Sequence, residues 1–248
     1  MSEISLILPA YREAENLKKL LPRIRAAFEN AGYDYEILVL DTQTPTGDGT
    51  PEVCRDMGAR YVPREGGDSY GCAIRTGIRA AAKTRIAVMD ADGSHDPGDL
   101  IRMMTSMDET GADIVIGSRY ARGGHTDNPW ILRCMSYILN YTYRLVFRLP
   151  VKDVSDSFRL YDGAKLKSLQ LRSENFDLVE EILIVMRVHY PDLKVTEIPI
   201  HFMKRDQGKS KRDLLKFIAS YLSTMKWLLT VQREAALSRG TKAGTDRG

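Results

Sequence analysis

Five short runs rich in Ile, Leu and Val recur through the first half of the chain: Ile4–Leu8, Glu36–Leu40, Arg60–Val62, Ile86–Met89 and Ile114–Ile116. Each is closed by Pro, Asp or Gly, and segments of helical spacing lie between them. Runs this short and this apolar read as strands, and their near-continuous apolarity means burial on both faces, hence a largely parallel sheet. The intervening segments carry helical patterns. Glu13–Asn30 has Leu17, Leu20, Leu21, Ile24 and Phe28 on one face, with Pro22 expected to kink or restart it. A short helix opens at Thr50-Pro51, a cap followed by proline at the first helical position. Tyr70–Ala82 and Pro97–Thr110 are the next two. A β-α-β-α order with right-handed crossovers predicts a doubly wound α/β fold, a Rossmann-like, mostly parallel sheet flanked by helices.

The second half is patterned differently. Trp130–Phe147 is a helix mixing apolar and aromatic residues with arginines, Asp177–Tyr190 is a helix with Glu180 and Glu181 ahead of an apolar run, and Leu193–Phe202 reads as one or two strands. In the last of these, Pro199 implies an edge or a break. Asp213–Val231 is a long final helix. The expectation is a single catalytic domain over residues 1–232, with halves at about 1–117 and 118–232, followed by a polar, disordered tail at 233–248.

No apolar stretch approaches the ~18–20 residues of a spanning helix. The N-terminal run is too short for a signal peptide, so a cytoplasmic location is expected. Cys54, Cys72 and Cys134 are odd in number and lack metal-like spacing, which predicts buried, reduced, inert thiols. With 36 basic and 33 acidic residues the net charge is only +3, which argues against a general nucleic-acid binder. The basic charge is nevertheless concentrated at positions 204, 205, 209, 211, 212 and 216.

In a doubly wound sheet, ligands bind beyond the carboxyl ends of the strands. There the sequence places Pro9-Ala10-Tyr11, Asp41, Asp90-Ala91-Asp92 and Gly117-Ser118-Arg119. Two carboxylates two residues apart at the end of a buried strand are costly to hold together unless a cation neutralises them. Oxygen-only ligands favour Mg²⁺ or Mn²⁺. A plain turn with a helix cap is the alternative for an isolated Asp-x-Asp, and Asp41 at the end of a second strand tips the balance toward a metal.

These motifs resemble those of the family 2 glycosyltransferases of the GT-A (nucleotide-diphospho-sugar transferase) fold, and within them the dolichyl-phosphate mannose synthase type. The resemblance rests on Leu8-Pro9-Ala10-Tyr11-Arg12-Glu13, Asp41 with Asp48-Gly49-Thr50, Asp90-Ala91-Asp92-Gly93-Ser94-His95 and Gly117-Ser118-Arg119-Tyr120. It continues through Trp130 with Arg133 and Ser136, Ser157-Phe158-Arg159-Leu160-Tyr161, Glu197-Ile198-Pro199-Ile200 and Arg205 with Gly208, Ser210 and Lys211. It implies that Pro9, Ala10, Tyr11, Glu13 and Asp41, with Ala91, cradle a GDP- or UDP-linked sugar. Asp90 and Asp92 would hold Mg²⁺ or Mn²⁺ on the pyrophosphate. Arg119, Arg133, Ser136, Arg205 and Lys211 would grip phosphate.

The implied reaction is a single inverting displacement, moving a hexose, with mannose favoured, to a polyprenyl or dolichyl phosphate. A phosphate monoester, with a second pKa of about 6, needs cations rather than a base. Such an acceptor lies in a bilayer, and Trp130–Arg148 has the pattern of an interfacial helix, so peripheral attachment to the cytoplasmic face is expected.

The chain departs from the family after Asp41, where the loop is longer and lacks a second acid, and again at Arg64-Glu65-Gly66-Gly67-Asp68-Ser69-Tyr70-Gly71. Two other readings stay open. A family 2 enzyme acting on a sugar hydroxyl would need Glu180, Glu181 or Asp156 as base, and a non-catalytic module would merely hold nucleotide.

Overall fold

The computed structural model describes residues 3–204 and 214–245, with side chains of the last helix described over 220–237. A seven-stranded sheet runs through the centre in the order β3-β2-β1-β4-β7-β5-β8. Its strands are β1 (Glu3–Pro9), β2 (Asp34–Asp41), β3 (Arg60–Pro63), β4 (Arg85–Val88), β5 (Ile114–Ser118), β7 (Arg159–Asp162) and β8 (Val195–Pro199). All pairs are parallel except those of β7, which lies antiparallel between β4 and β5. A separate two-stranded ribbon joins β6 (His125–Thr126) to β9 (His201–Phe202). The architecture is the expected α/β one, a mostly parallel sheet flanked by helices.

Successive strand residues point to opposite faces, and both faces are covered. Ile4, Leu6 and Leu8 of β1 pack with Leu17, Leu21 and Phe28 of α1 (Ala14–Ala31) and with Leu100, Met103 and Met104 of α4 (Gly98–Thr110). Ile7 of the same strand joins the opposite layer, with Ile74 and Ile78 of α3 (Tyr70–Ala80), Tyr143 and Phe147 of α5 (Trp130–Phe147) and Ile182 and Leu183 of α7 (Leu178–His189). Leu228 of α8 (Leu214–Thr245) completes that layer. Gly77 lets α3 lie directly on β1, since a Cβ there would stand 2.7 Å from Ile7.

Six features differ from the sequence reading, among them the unpredicted strand β6 and Cys134, which is exposed where a buried thiol was expected. Pro22 sits inside an unbroken α1 rather than restarting it. The last helix continues to Thr245, through most of the segment expected as a disordered tail. Strand β7 and the short helix α6 (Gly163–Lys167) went unpredicted, because four residues, Arg-Leu-Tyr-Asp, are too few to set a period. Pro199, by contrast, does mark an edge, as the last residue of the terminal strand β8.

The strand order explains where a ligand can bind. From β1 the chain passes to β2 on one side, whereas β4 lies on the other, so the connections diverge above the β1 and β4 ends. A crevice at such a switch point is where open α/β sheets hold ligands.

Candidate active site

That crevice is a cleft of about 380 Å³. Pro9, Ala10, Tyr11 and Glu13 line it from the end of β1, and Asp90, Ala91 and Asp92 from the end of β4. Seven residues drawn from two segments distant in sequence thus meet in one cavity. Arg64, Asp68, Tyr70 and Phe176 form the rest of its wall. None of these four was singled out as a site residue, although the unusual Arg64–Gly71 loop was the signal that could have found three of them.

The β1 end is held in shape by its neighbours. Ala10 extends the β1–β2 pairing by donating to the Leu40 carbonyl at 3.0 Å. Glu13 stands at the N-terminus of α1 and accepts from Asn16 Nδ2 at 2.6 Å. Arg64, buried behind the loop, donates from Nη2 to the Ala10 carbonyl at 2.6 Å and from Nε to the Leu40 carbonyl at 3.3 Å, while Nη1 reaches the Asp68 carbonyl. Opposite it, Tyr70 and Phe176 stack with ring centroids 4.2 Å apart.

Asp41 is placed differently from the expectation. It is fully buried and lies outside the cleft lining, with Oδ2 accepting from Tyr61 Oη at 3.3 Å and Oδ1 without a hydrogen-bond partner among the described residues. Burial raises its pKa above the usual carboxylate value. Asp48 instead organises this edge. It accepts from Thr50 Oγ1 at 2.9 Å and from the Ala14 amide at 3.3 Å, tying the start of α1 to the start of α2 (Thr50–Asp56). Burial opposes ionisation of Asp48, and the hydrogen bonds from Thr50 and Ala14 outweigh it, holding its pKa low.

Asp90 and Asp92 are each oriented by a hydroxyl. Ser157 Oγ donates to Asp90 Oδ1 at 3.1 Å, and Ser94 donates to Asp92 Oδ1 through both Oγ, at 2.6 Å, and its amide, at 3.0 Å. Two preoriented carboxylates at the rim of one cleft are hard oxygen donors, a set that suits Mg²⁺ or Mn²⁺ completed by water and phosphate oxygens. Ser94 is buried and committed to Asp92, so its part is to aim the ligand.

Below this pair runs a buried charge chain. His95 Nε2 lies 3.4 Å from Asp156 Oδ1, Asp156 Oδ2 lies 3.0 Å from Arg119 Nε, and Arg119 also grips Asp153, from Nε at 2.8 Å and Nη2 at 2.7 Å. Burial works against protonating His95, but Asp156 outweighs it and raises the imidazole pKa. Burial likewise opposes ionisation of Asp156, and Arg119 and His95 together keep its pKa low. Arg119, expected to grip phosphate, therefore also carries a structural task. Its Nε and Nη2 are engaged by Asp153, Asp156 and Ser155, and only 9% of its side chain is exposed.

Of the remaining predicted residues, Ser136 lies 3.3 Å from Ser155 Oγ and accepts from Asn140, which also accepts from the Val154 and Ser155 amides. Arg133 is exposed near the start of α5. Arg205 and Lys211 lie outside the described residues. Arg159 proves structural, being fully buried and donating to the carbonyls of Val154, Asp156 and Val179. Glu181 is buried too, accepting from the Arg172 and Ser173 amides at 2.8 and 2.7 Å.

Comparison with known proteins fits this geometry. Residues 5–169 match the family model for glycosyl transferase family 2. The chain belongs to glycosyl transferase family 2. Among its relatives is a dolichol-phosphate mannosyltransferase of Pyrococcus furiosus, 30% identical over 237 residues, covering 91% of this chain. The chain spans 64% of that relative's length. An uncharacterized glycosyltransferase of Mycobacterium bovis is 32% identical over 210 residues, covering 84% of this chain and 88% of the relative. Among solved structures, glucosyl-3-phosphoglycerate synthase of Mycobacterium tuberculosis, in complex with Mn²⁺, UDP and glucosyl-3-phosphoglycerate, superposes with a TM-score of 0.69 at 18% identity. That match covers 93% of this chain and 80% of the synthase, and establishes the shared GT-A fold.

Proposed function

We propose that this family 2 glycosyltransferase moves a hexose, mannose favoured, from a GDP- or UDP-linked sugar to a polyprenyl or dolichyl phosphate, with Mg²⁺ or Mn²⁺ held by Asp90 and Asp92. The donor would lie in the cleft between the β1 and β4 ends, its base and ribose against Tyr11 and Glu13 and its pyrophosphate toward Asp90 and Asp92. The bound ion would stabilise the charge that gathers on the departing nucleoside diphosphate. The similarity to a dolichol-phosphate mannosyltransferase supports this acceptor class.

The observation that carries the acceptor reading is where the candidate bases lie. A sugar hydroxyl must lose a proton, which calls for a carboxylate within reach of the acceptor. Glu180 and Glu181 are fully buried, and Asp156 is buried between His95 and Arg119. A phosphate acceptor is already anionic and requires no such group.

The acceptor's membrane location fits α5. Trp130, Ile138 and Leu145 are 71%, 64% and 67% exposed, and Tyr137 and Tyr141 share their side of the helix. Asn140, Tyr143 and Phe147 face the protein instead. An apolar and aromatic helix face bordered by Arg133 and Arg144 suits shallow insertion at a bilayer interface. No helix among the described residues is long and apolar enough to cross a membrane. Peripheral attachment at the cytoplasmic face follows from this reading.

The decisive experiment offers labelled GDP- and UDP-sugars with a polyprenyl phosphate or a sugar-hydroxyl acceptor in detergent, in Mn²⁺ or in EDTA. Metal-dependent label in the lipid phase from one donor is the expected result. Label appearing only on a hydroxyl acceptor would overturn the acceptor assignment.

A further inference from the structure

On the far side of the β6–β9 ribbon, three side chains converge that the transfer chemistry does not use. His125 and His201 are register partners in this parallel pair, and Asp127 follows directly on β6. Thr126 is buried and Phe202 packs its ring against His95, 5.2 Å away, so the alternation of a strand turns both histidines outward. Their ring centroids stand 4.9 Å apart. Asp127 Oδ1 lies 2.8 Å from His201 Nε2 and 3.5 Å from His125 Nε2. One ligand atom from each of the three residues falls within 4.8 Å of the other two.

We propose that His125, Asp127 and His201 form a second metal site, selective for a transition-metal ion of the Zn²⁺ class and distinct from the Asp90–Asp92 pair. Tetrahedral ligands at about 2.0–2.1 Å from Zn²⁺ stand roughly 3.3–3.4 Å from one another, so closing this triad takes only side-chain rotations. Two imidazoles and one carboxylate suit Zn²⁺, Co²⁺ or Ni²⁺, whereas Mg²⁺ prefers an all-oxygen set. The carboxylate is also oriented from behind. Asp127 Oδ2 accepts from the Lys204 amide at 3.2 Å, which leaves Oδ1 turned toward the imidazoles, the outer-sphere support that ligating carboxylates receive. Exposure of all three residues leaves the remaining coordination positions to water.

Binding would clasp a ribbon whose strands are only two residues long and weak on their own. β9 leads straight into Met203, whose amide donates to the Ser94 carbonyl at 2.9 Å beside Asp92. A metal here would thus fix the wall of the transfer site from outside.

The test uses untagged full-length protein carrying Asp90→Asn and Asp92→Asn, so that the other metal site is silenced. Co²⁺ titration followed by visible d–d absorption is expected to saturate at one ion per chain, with displacement by one equivalent of Zn²⁺ and none by millimolar Mg²⁺. Adding His201→Gln or His125→Gln is expected to abolish the band and the Zn²⁺-induced rise in melting temperature, with the metal-free melting temperature unchanged. If one of these variants fails to fold, Asp127→Asn on the same background is read in its place. Absence of the band, or a band that survives removal of either histidine, would overturn the proposal and leave the cluster a simple His-Asp-His hydrogen-bonded group.

Discussion

Arg64 joins the end of β3 to the end of β1 by donating from Nη2 to the carbonyl oxygen of Ala10 at 2.6 Å. The same guanidinium reaches the carbonyls of Leu40 and Asp68, so one planar side chain fixes three backbone segments around the cleft. A lysine presents a single charged point and cannot repeat that fork. Arg64→Lys is expected to weaken nucleotide-sugar binding about tenfold by calorimetry and to lower stability by about 1.5–3 kcal/mol in urea unfolding. Unchanged binding would mean that the loop shape does not depend on Arg64.

Loss of either carboxylate at the β4 end removes a group aimed into the cleft. Asp90→Asn and Asp92→Asn are each expected to cut transfer by at least about 100-fold. In the unmodified protein, EDTA should abolish turnover and Mn²⁺ or Mg²⁺ should restore it. A variant that retains near-normal turnover would remove that aspartate from the metal assignment.

Arg119 provides a test between phosphate binding and structural pairing. Removing one partner of a buried ion pair strands the other charge, at a cost of about 3–5 kcal/mol. Arg119→Ala should therefore lower stability by that order, and adding Asp153→Asn should recover part of the loss. A residue that only held substrate phosphate would leave the melting temperature unmoved.

Glu180 is fully buried, and neither of its oxygens has a hydrogen-bond partner among the described residues. Burial drives its pKa well above the usual glutamate value of 4.5, so it stays protonated in the folded chain at pH values where the unfolded chain ionises. A group shifted upward in this way contributes stability at low pH and loses it as the pH rises from the unfolded toward the folded pKa. Between those limits wild-type stability should fall by up to about 1.4 kcal/mol per pH unit. Glu180→Gln should flatten that slope, as measured by urea unfolding from pH 4 to pH 8.

On α5, Ile138→Glu with Leu145→Glu alters two side chains that stand mostly in solvent. The pair should weaken co-sedimentation with phospholipid vesicles and leave the melting temperature in solution unchanged. Full retention on vesicles would exclude this face as the attachment surface.

The elements set by local periodicity were readable from the chain itself. Apolar runs of strand length between amphipathic helices gave β1 to β5 and the major helices, with α5 matching the expected Trp130–Phe147. Strand-end chemistry likewise placed Pro9 to Tyr11 and Asp90 to Asp92 on one ligand-binding edge, because a parallel sheet brings every strand's carboxyl end to the same side. Tertiary structure decided the rest. Sequence cannot tell a buried charge from an exposed one when its partners are remote. Arg119 read as a phosphate ligand before Asp153 and Asp156 showed it paired, and Asp41 read as part of the nucleotide-sugar cradle before burial took it out of the cleft lining. Arg64 escaped notice for the same reason, since its role rests on carbonyl oxygens, which every residue possesses and no side-chain pattern records.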